Sequence, residues 1–224
     1  MGKKFFEEIE LFLFDMDGLL FDTETIYVGY GREVAKKMGY TITKDIVEKT
    51  TGVTDDKARI LFKESLGQEF PYDEMMGTVK EHILELAKKS EVPLKPGALE
   101  LLEFLRENNK EMILATSSDL FMAEALINGK DLKKYFSHFV TAEDVVHGKP
   151  DPEVFLIGAK KAGVSPEKTV VFEDSFNGIR AAHAAGTFPI MVPDKLKPTE
   201  EIEKLVYKKF NSLVEVLDYF KGNN

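Results

Sequence analysis

The chain has 224 residues, enough for one full hydrophobic core and a smaller accessory domain. Its 39 acidic against 30 basic residues give a formal net charge of −9, which argues against broad binding of nucleic acid through the phosphate backbone. Cysteine is absent, so disulfides, thiolate metal sites and thiol catalysis are excluded.

At the N-terminus, Lys3-Lys4 is followed by Phe5-Phe6-Glu7-Glu8, whose acids interrupt the apolar stretch a signal peptide requires. No run approaches the ~18 apolar residues of a membrane span. A cytoplasmic location without a membrane partner is therefore the default expectation. The first strand is expected at about 10 to 15, where the apolar run Leu11 to Phe14 leads into Asp15-Met16-Asp17-Gly18. Residues i and i+2 of a strand point to one side, and a glycine just beyond lets the backbone turn sharply. Two carboxylates would thus share one small volume, where they repel unless a cation or a shared proton relieves them. A hard divalent ion such as Mg²⁺ suits that role. On spacing alone, a solvated acidic turn fits equally well.

From about Thr23 to Val92 the texture is helical, with no strand-like run. Ile26, Tyr30, Val34 and Met38 repeat every four residues, and Lys57 to Leu66 and Val79 to Leu86 look similar. This predicts a small helical cap, residues 23–92, entered just after the first strand. Pro93-Leu94-Lys95-Pro96-Gly97 marks the return, so residues 1–22 and 93–224 form the core. Gly29-Tyr30-Gly31 has Val34 where a dinucleotide loop would carry its third glycine, and that motif is absent.

After the return, Ala98 to Leu105 carries Leu99, Leu102 and Leu105 at helical spacing. Strand-like runs at about 111 to 116, 138 to 141, 169 to 173 and 188 to 192 alternate with helix-length segments. One of these, Pro152 to Ala162, is closed by Gly163. The alternation predicts an α/β fold with a doubly wound parallel sheet, whose ligands bind beyond the carboxyl ends of the strands. Three of these strand ends carry chemistry. Met112 to Ala115 leads into Thr116-Ser117-Ser118, hydroxyls and a helix start that could hold phosphate oxygens. Gly148-Lys149-Pro150-Asp151-Pro152 offers an ammonium that could neutralise phosphate charge. Val170 to Phe172 runs into Glu173-Asp174-Ser175, with Asn177-Gly178 beyond, a second acidic cluster for a cation.

Taken singly, each has an ordinary structural explanation. Thr116 to Asp119 reads as a helix N-cap, Lys149 as a surface charge, Asp151-Pro152 as an Ncap and N1 pair, and Glu173-Asp174 as first-turn acids. Their order and shared position after strands of one alternating chain point instead to phosphoryl transfer. The histidines at 82, 138, 147 and 183 show no ligand-like spacing and are expected on surfaces or loops. Ser212 to Phe220 is an amphipathic helix opened by Asn211, expected to pack on the core of a monomer.

The stretches "FDMDGLLFDTE", "ILATSSD", "GKPDPEVF" and "VFEDSFNGIRAA", spread from about Leu11 to Asp194, resemble the haloacid dehalogenase superfamily. The resemblance is to the branch of beta-phosphoglucomutase-like enzymes and small-metabolite phosphatases. It implies strand order 3-2-1-4-5, with Asp15 on the central strand and Asp174 beside it. It makes Asp15 the nucleophile, Asp17 the general acid and base, Thr116 with Ser117 phosphate ligands, and Lys149 the charge stabiliser. Asp15, Asp17, Glu173 and Asp174 become the Mg²⁺ site, and Gly52 a substrate contact in the cap. Tyr27 stands where the mutases of this branch carry a His. The segment Thr51-Gly52-Val53-Thr54-Asp55 lacks the Lys and Arg with which a mutase grips a second phosphate, and Lys57 and Arg59 do not fall at those positions. Hydrolysis of a small phosphorylated metabolite, a sugar or nucleoside monophosphate, is expected over phosphosugar mutase chemistry. "DTETIY" with "HGKPDPEVF" also resembles phosphatases acting on pseudouridine 5′-phosphate and related sugar phosphates. The intact set Asp15, Asp17, Lys149 and Asp174 argues against a binding protein without turnover.

Overall fold

The computed structural model describes residues 2–222. A short helix α1 (Gly2–Glu8) precedes strand β1 (Leu11–Phe14). Four helices follow without a strand between them: α2 (Thr23–Lys37), α3 (Lys44–Thr50), α4 (Asp55–Leu66) and α5 (Tyr72–Lys88). The chain then alternates through α6 (Ala98–Glu107), β2 (Glu111–Ala115), α7 (Leu120–Gly129), β3 (His138–Val140), α8 (Glu153–Ala162), β4 (Thr169–Glu173), α9 (Phe176–Ala184) and β5 (Phe188–Met191). It ends with α10 (Glu200–Leu205), β6 (Lys208–Lys209) and α11 (Leu213–Lys221).

All strand pairs are parallel, in the order β3-β2-β1-β4-β5-β6. Buried on both faces, β1, β2, β4 and β5 read as largely continuous apolar runs, as a parallel sheet requires. In β1, Phe12 and Phe14 point to one face, where they meet Phe172 and the side chains of α6, α7 and α11. Leu11 and Leu13 point to the other face, against Phe155 and Ala159 of α8 and Ala181 and Ala182 of α9. The sheet reverses its winding at β1, which lies between β2 and β4. A cleft opens at such a switch point, beyond the carboxyl ends of the strands.

The predicted order 3-2-1-4-5 is thus extended by a sixth strand. It was missed because it is two lysines long, a short charged edge of the kind that resists further pairing. Leu99 is exposed, and Leu101 takes its place beside Leu102 and Leu105 in the core. The buried stripe of α6 thus keeps Leu102 and Leu105 and runs through Ala98 and Leu101 rather than Leu99. Ser212, rather than Asn211, caps α11 by accepting from Glu215 N, while Asn211 Nδ2 donates to the Glu215 carboxylate. Asp151 does bond the first turn of α8, accepting from Glu153 N at 3.0 Å, but the cap position itself is Pro152. The apolar face of α11 is buried against α6 and α1, as its amphipathic pattern predicts.

The helical segment leaves and rejoins the sheet through two adjacent strands of backbone. Asp22 N donates to Pro93 O, and Lys95 N donates to Leu20 O. Val34, Phe62, Met75, Val79 and Ile83 fill its interior. Helix α5 packs along α2 and against α7, where Gly129 lies so close to Ala87 O that a side-chain carbon would stand 2.4 Å from it.

Candidate active site

Asp15 is the first residue beyond β1, and its N–H donates to Phe172 O, which holds the chain beside β4 as it leaves the sheet. Its carboxylate is nearly buried and accepts from Lys149 Nζ at 2.5 Å. Lys149 also donates to Glu173 Oε1 at 2.7 Å and to Ala115 O at 3.1 Å, so the three protons of the ammonium are all used inside the protein. The Lys149-Pro150 peptide bond is cis. Glu173, the last residue of β4, is fully buried. Its second oxygen accepts from Ser175 N and Ser175 Oγ, both at 2.9 Å, while Ser175 Oγ in turn accepts from Gly178 N to cap α9. Gly178 faces Glu173 at a distance that leaves no room for a side chain: a Cβ there would overlap the carboxylate.

Asp17 sits apart from this cluster. Its two oxygens accept from Thr23 Oγ1 at 2.7 Å and from Ser118 Oγ at 2.8 Å. The tight turn that carries it needs Gly18 at φ 82°, and a Cβ at Gly18 would come within 2.4 Å of Asp174 Oδ2. The turn and the second acidic cluster are thus in direct contact. Thr116 is buried at the end of β2 and accepts from Ser118 N, while Ser117 is exposed on the cleft wall. Gly52 lies on the loop between α3 and α4 at φ 73°, on the same wall, and its carbonyl accepts from Asn177 Nδ2 at 3.4 Å.

The cleft has a volume of about 400 Å³ and is lined by Asp15, Asp17, Thr116, Ser117, Lys149 and Asp174, with Gly52 on the helical side. The structure therefore brings together residues separated by up to 159 positions that the sequence singled out, Asp15 to Asp174. Of the four acids, Asp15, Glu173 and Asp174 present carboxylate oxygens within 4.8 Å of one another. The Asp17 carboxylate is not in that group, because two hydroxyls hold it elsewhere on the cleft.

Two further acids on the cleft were quoted in the sequence without a role. Glu24, on the first turn of α2, lines it, as does Asp194 beyond β5. Thr23 carries no role in the sequence reading, and Ser118, expected among the hydroxyls that could hold phosphate oxygens, donates to Asp17 instead.

These acids are poorly compensated. Burial, reinforced by the charges of Glu173 and Asp17, pushes Asp15 up to about 8 in spite of Lys149. Asp174 is raised by burial and by the charges of Glu173 and Asp15, and Asp17 by burial, which outweighs its two hydroxyl bonds. Burial next to Asp17 and Asp194 lifts Glu24 to about 7. Lys149 goes the other way: burial alone would strip its charge, but Asp15 and Glu173 outweigh it and raise its pKa. A site with this excess of buried carboxylate has the donor set of a divalent cation, all hard oxygen. The close acidic trio and the unpartnered buried oxygen of Asp194 both fit such an ion.

The sequence matches the haloacid dehalogenase-like hydrolases over residues 9–186. The chain belongs to that family. It is 36% identical over 182 residues to the phosphorylated carbohydrates phosphatase of Thermotoga maritima, covering 80% of this chain and 82% of that protein. A Drosophila melanogaster protein named "Probable pseudouridine-5′-phosphatase" is 34% identical over 200 residues, covering 87% of this chain and 86% of its own. The crystal structure of a haloacid dehalogenase hydrolase of family IA, variant 3, from Entamoeba histolytica superposes with a TM-score of 0.78 at 25% identity. That match covers 95% of this chain and 100% of the other. The sheet order, the cleft at the carboxyl ends of β1, β2 and β4, and the family agree with the resemblance drawn from the motifs. Among the described residues no helix is long and apolar enough to cross a membrane.

Proposed function

We propose that the protein is a phosphoric monoester hydrolase that cleaves a small phosphorylated metabolite, a sugar or nucleoside monophosphate, through an aspartyl-phosphate. The observation that carries this reading is the buried Lys149 held between Asp15 and Glu173, facing a cleft whose other acid, Asp17, is clamped by Thr23 and Ser118. A divalent cation, for which we name Mg²⁺, would be held by Asp15, Asp174 and the backbone carbonyl of Asp17, and would supply positive charge that lets an anionic phosphate share the cleft with carboxylates.

The residues then divide the work. An Asp15 oxygen attacks phosphorus in line, and the bond from phosphorus to the leaving oxygen breaks. Asp17, whose burial favours its protonated form, gives that oxygen its proton. Asp17, now ionised, takes a proton from water, whose oxygen attacks phosphorus and releases phosphate and the Asp15 carboxylate. Lys149 and the Thr116 hydroxyl face the equatorial oxygens, where charge spreads in the transition state. Glu173 acts through Lys149, fixing the ammonium and screening its charge.

The helical segment, residues 23–92, serves as a cap that shields the cleft and contacts the leaving group. A second cavity of about 350 Å³ opens from the cleft into it, with Asp17 and Ser118 at its floor and Phe62, Met75 and Ile42 on its walls. The proton of Asp17 is delivered at that opening, so the leaving group belongs there, and its walls favour a group with an apolar face. Arg59 does not offer a grip for a second phosphate: its guanidinium is bonded to Asp55, Asp56 and Asp73. Tyr27 lines the same cavity, its hydroxyl kept protonated by burial. Both features favour hydrolysis over transfer between two phosphate positions.

The test is free-phosphate release by purified protein with Mg²⁺ across phosphorylated sugars, nucleotides and glycolytic acids, with Asp15→Asn and chelator controls. Metal-dependent release lost in Asp15→Asn supports the reading. Isomerisation of beta-glucose 1-phosphate on adding a bisphosphate, without release, would replace it with a mutase.

A further inference from the structure

Asp194 stands in the loop after β5 and has no part in the reaction just described. Its side chain is only 5% exposed. One oxygen is well served: Oδ1 accepts from Lys95 Nζ at 2.7 Å, with Lys195 Nζ at 3.4 Å. The other, Oδ2, is buried without a hydrogen-bond partner, the one such side-chain atom among the described residues. A buried carboxylate oxygen left without a donor is costly and needs an explanation. Asp194 lines the cleft together with Asp15, Asp17, Glu24 and Asp174.

The two lysines account for the other oxygen. Lys95 is in the segment that returns from the helical insert, and Lys195 also donates to Thr25 Oγ1 at the foot of α2. These pairs brace the root of the insert, and they do so through Oδ1. Nothing in that bracing uses Oδ2. None of the neighbouring acids lies within hydrogen-bond reach of it. An acceptor so placed wants a donor that arrives with the contents of the cleft.

We propose that Asp194 Oδ2 is the acceptor for an O–H group that enters the cleft with its ligands, a water carried on the divalent cation or a hydroxyl of the phosphorylated substrate. Asp194 is then a positioning residue for the loaded cleft, and this rests on the phosphatase reading above. The shared chemistry is one hydrogen bond from a polarised O–H to a buried carboxylate, which is strong because the acceptor is charged and dry.

The test compares the full-length protein with Asp194→Asn and Lys95→Met, after thermal melting has established that each is folded. Calorimetric titration with Mg²⁺ or Mn²⁺ alone, without substrate, reads the first source. Loss of an outer acceptor should weaken cation binding about 10-fold or more in Asp194→Asn. Lys95→Met, which breaks the brace and spares Oδ2, should stay within about 3-fold of the unaltered protein. At saturating cation, the KM of hexose phosphates against that of acetyl phosphate reads the second source. An increase in Asp194→Asn confined to the hydroxylated esters assigns the donor to substrate. The proposal is overturned if Asp194→Asn leaves both cation affinity and the KM ratio unchanged, or if Lys95→Met reproduces its effects, which would make Asp194 a strut of the hinge. Because calorimetry needs no turnover, a protein that bound the cation but hydrolysed nothing would sink the phosphatase reading and still decide the role of Asp194.

Discussion

Replacing Lys149 with Met tests whether the buried ammonium holds the site together. The side chain donates to two buried carboxylates and one carbonyl, and Met fills similar length without charge. Breaking a buried ion pair from one side costs about 3–5 kcal/mol, because an uncompensated charge stays behind. The Ala115 carbonyl adds about 1 kcal/mol for its lost donor. Against a typical total of about 5–15 kcal/mol, the variant should fold but melt early. The loss should also depend on pH. Asp15 has a folded pKa of about 8, above the ordinary carboxylate value, so the folded protein holds a proton the unfolded chain gives up. Stability from that proton is complete below about pH 4 and lost as pH rises through about 8, and removing Lys149 pushes the folded value higher still. Urea denaturation in chelator should therefore give a smaller penalty at about pH 7 than at about pH 9, and the penalty grows toward the full ~4 kcal/mol as Asp15 of the variant ionises. Mg²⁺ at about 100 times its Kd should return about 2.7 kcal/mol if it still binds. A penalty below about 1 kcal/mol at the higher pH, or one that does not change with pH, would refute the reasoning.

Three other outcomes are expected. Gly178→Ala should abolish turnover and cost several kcal/mol, since its Cβ would expel the Glu173 carboxylate that fixes Lys149; circular dichroism melts with an activity assay check this, and normal activity would contradict it. Ser118→Ala removes a donor that favours ionised Asp17, so the Asp17 pKa should rise and the alkaline limb of the kcat/KM profile should move to higher pH; an unmoved or lowered limb would deny Asp17 its role as acid. In chelator, the unaltered protein should lose stability between about pH 5 and pH 8, where folded Asp15 and Glu24 hold protons that the unfolded chain gives up, and Mg²⁺ should flatten that slope; a slope identical with and without the ion would argue against the acidic trio as its site.

What the sequence could and could not reveal follows from the range of the interactions. Asp15 and Glu173 announce themselves because each follows an apolar run, a local pattern that needs no knowledge of the fold, whereas Lys149 lies nine residues beyond the end of β3 and is marked only by its turn. The clamp on Asp17 leaves no such trace. Ser118 is 101 residues from Asp17 and reads as part of a helix cap, which its neighbour Asp119 in fact provides by accepting from Met122 N. Glu173 and Asp174 read as one metal-binding pair, and their oxygens do lie within 4.8 Å of each other, but different partners hold them. The Glu173 carboxylate accepts from Lys149 and Ser175, while that of Asp174 faces the cleft at Gly18. Asp194 stands where the last segment of resemblance ends, and its significance lies in a missing partner, a property only three-dimensional structure can express. The strand β6 escaped notice because pairing with β5, rather than any apolar pattern, makes two lysines extended.

The central claim is that Asp15 carries the phosphoryl group. An Asp17→Asn protein given acetyl phosphate and Mg²⁺, whose leaving group needs no proton, should form the aspartyl-phosphate and be unable to activate water to break it down. Rapid acid quench and peptide mass spectrometry should find one phosphoryl group on the peptide holding Asp15, and none when Asp15→Asn is added. Continued phosphate release with no label on Asp15, or label on any other residue, would contradict the account.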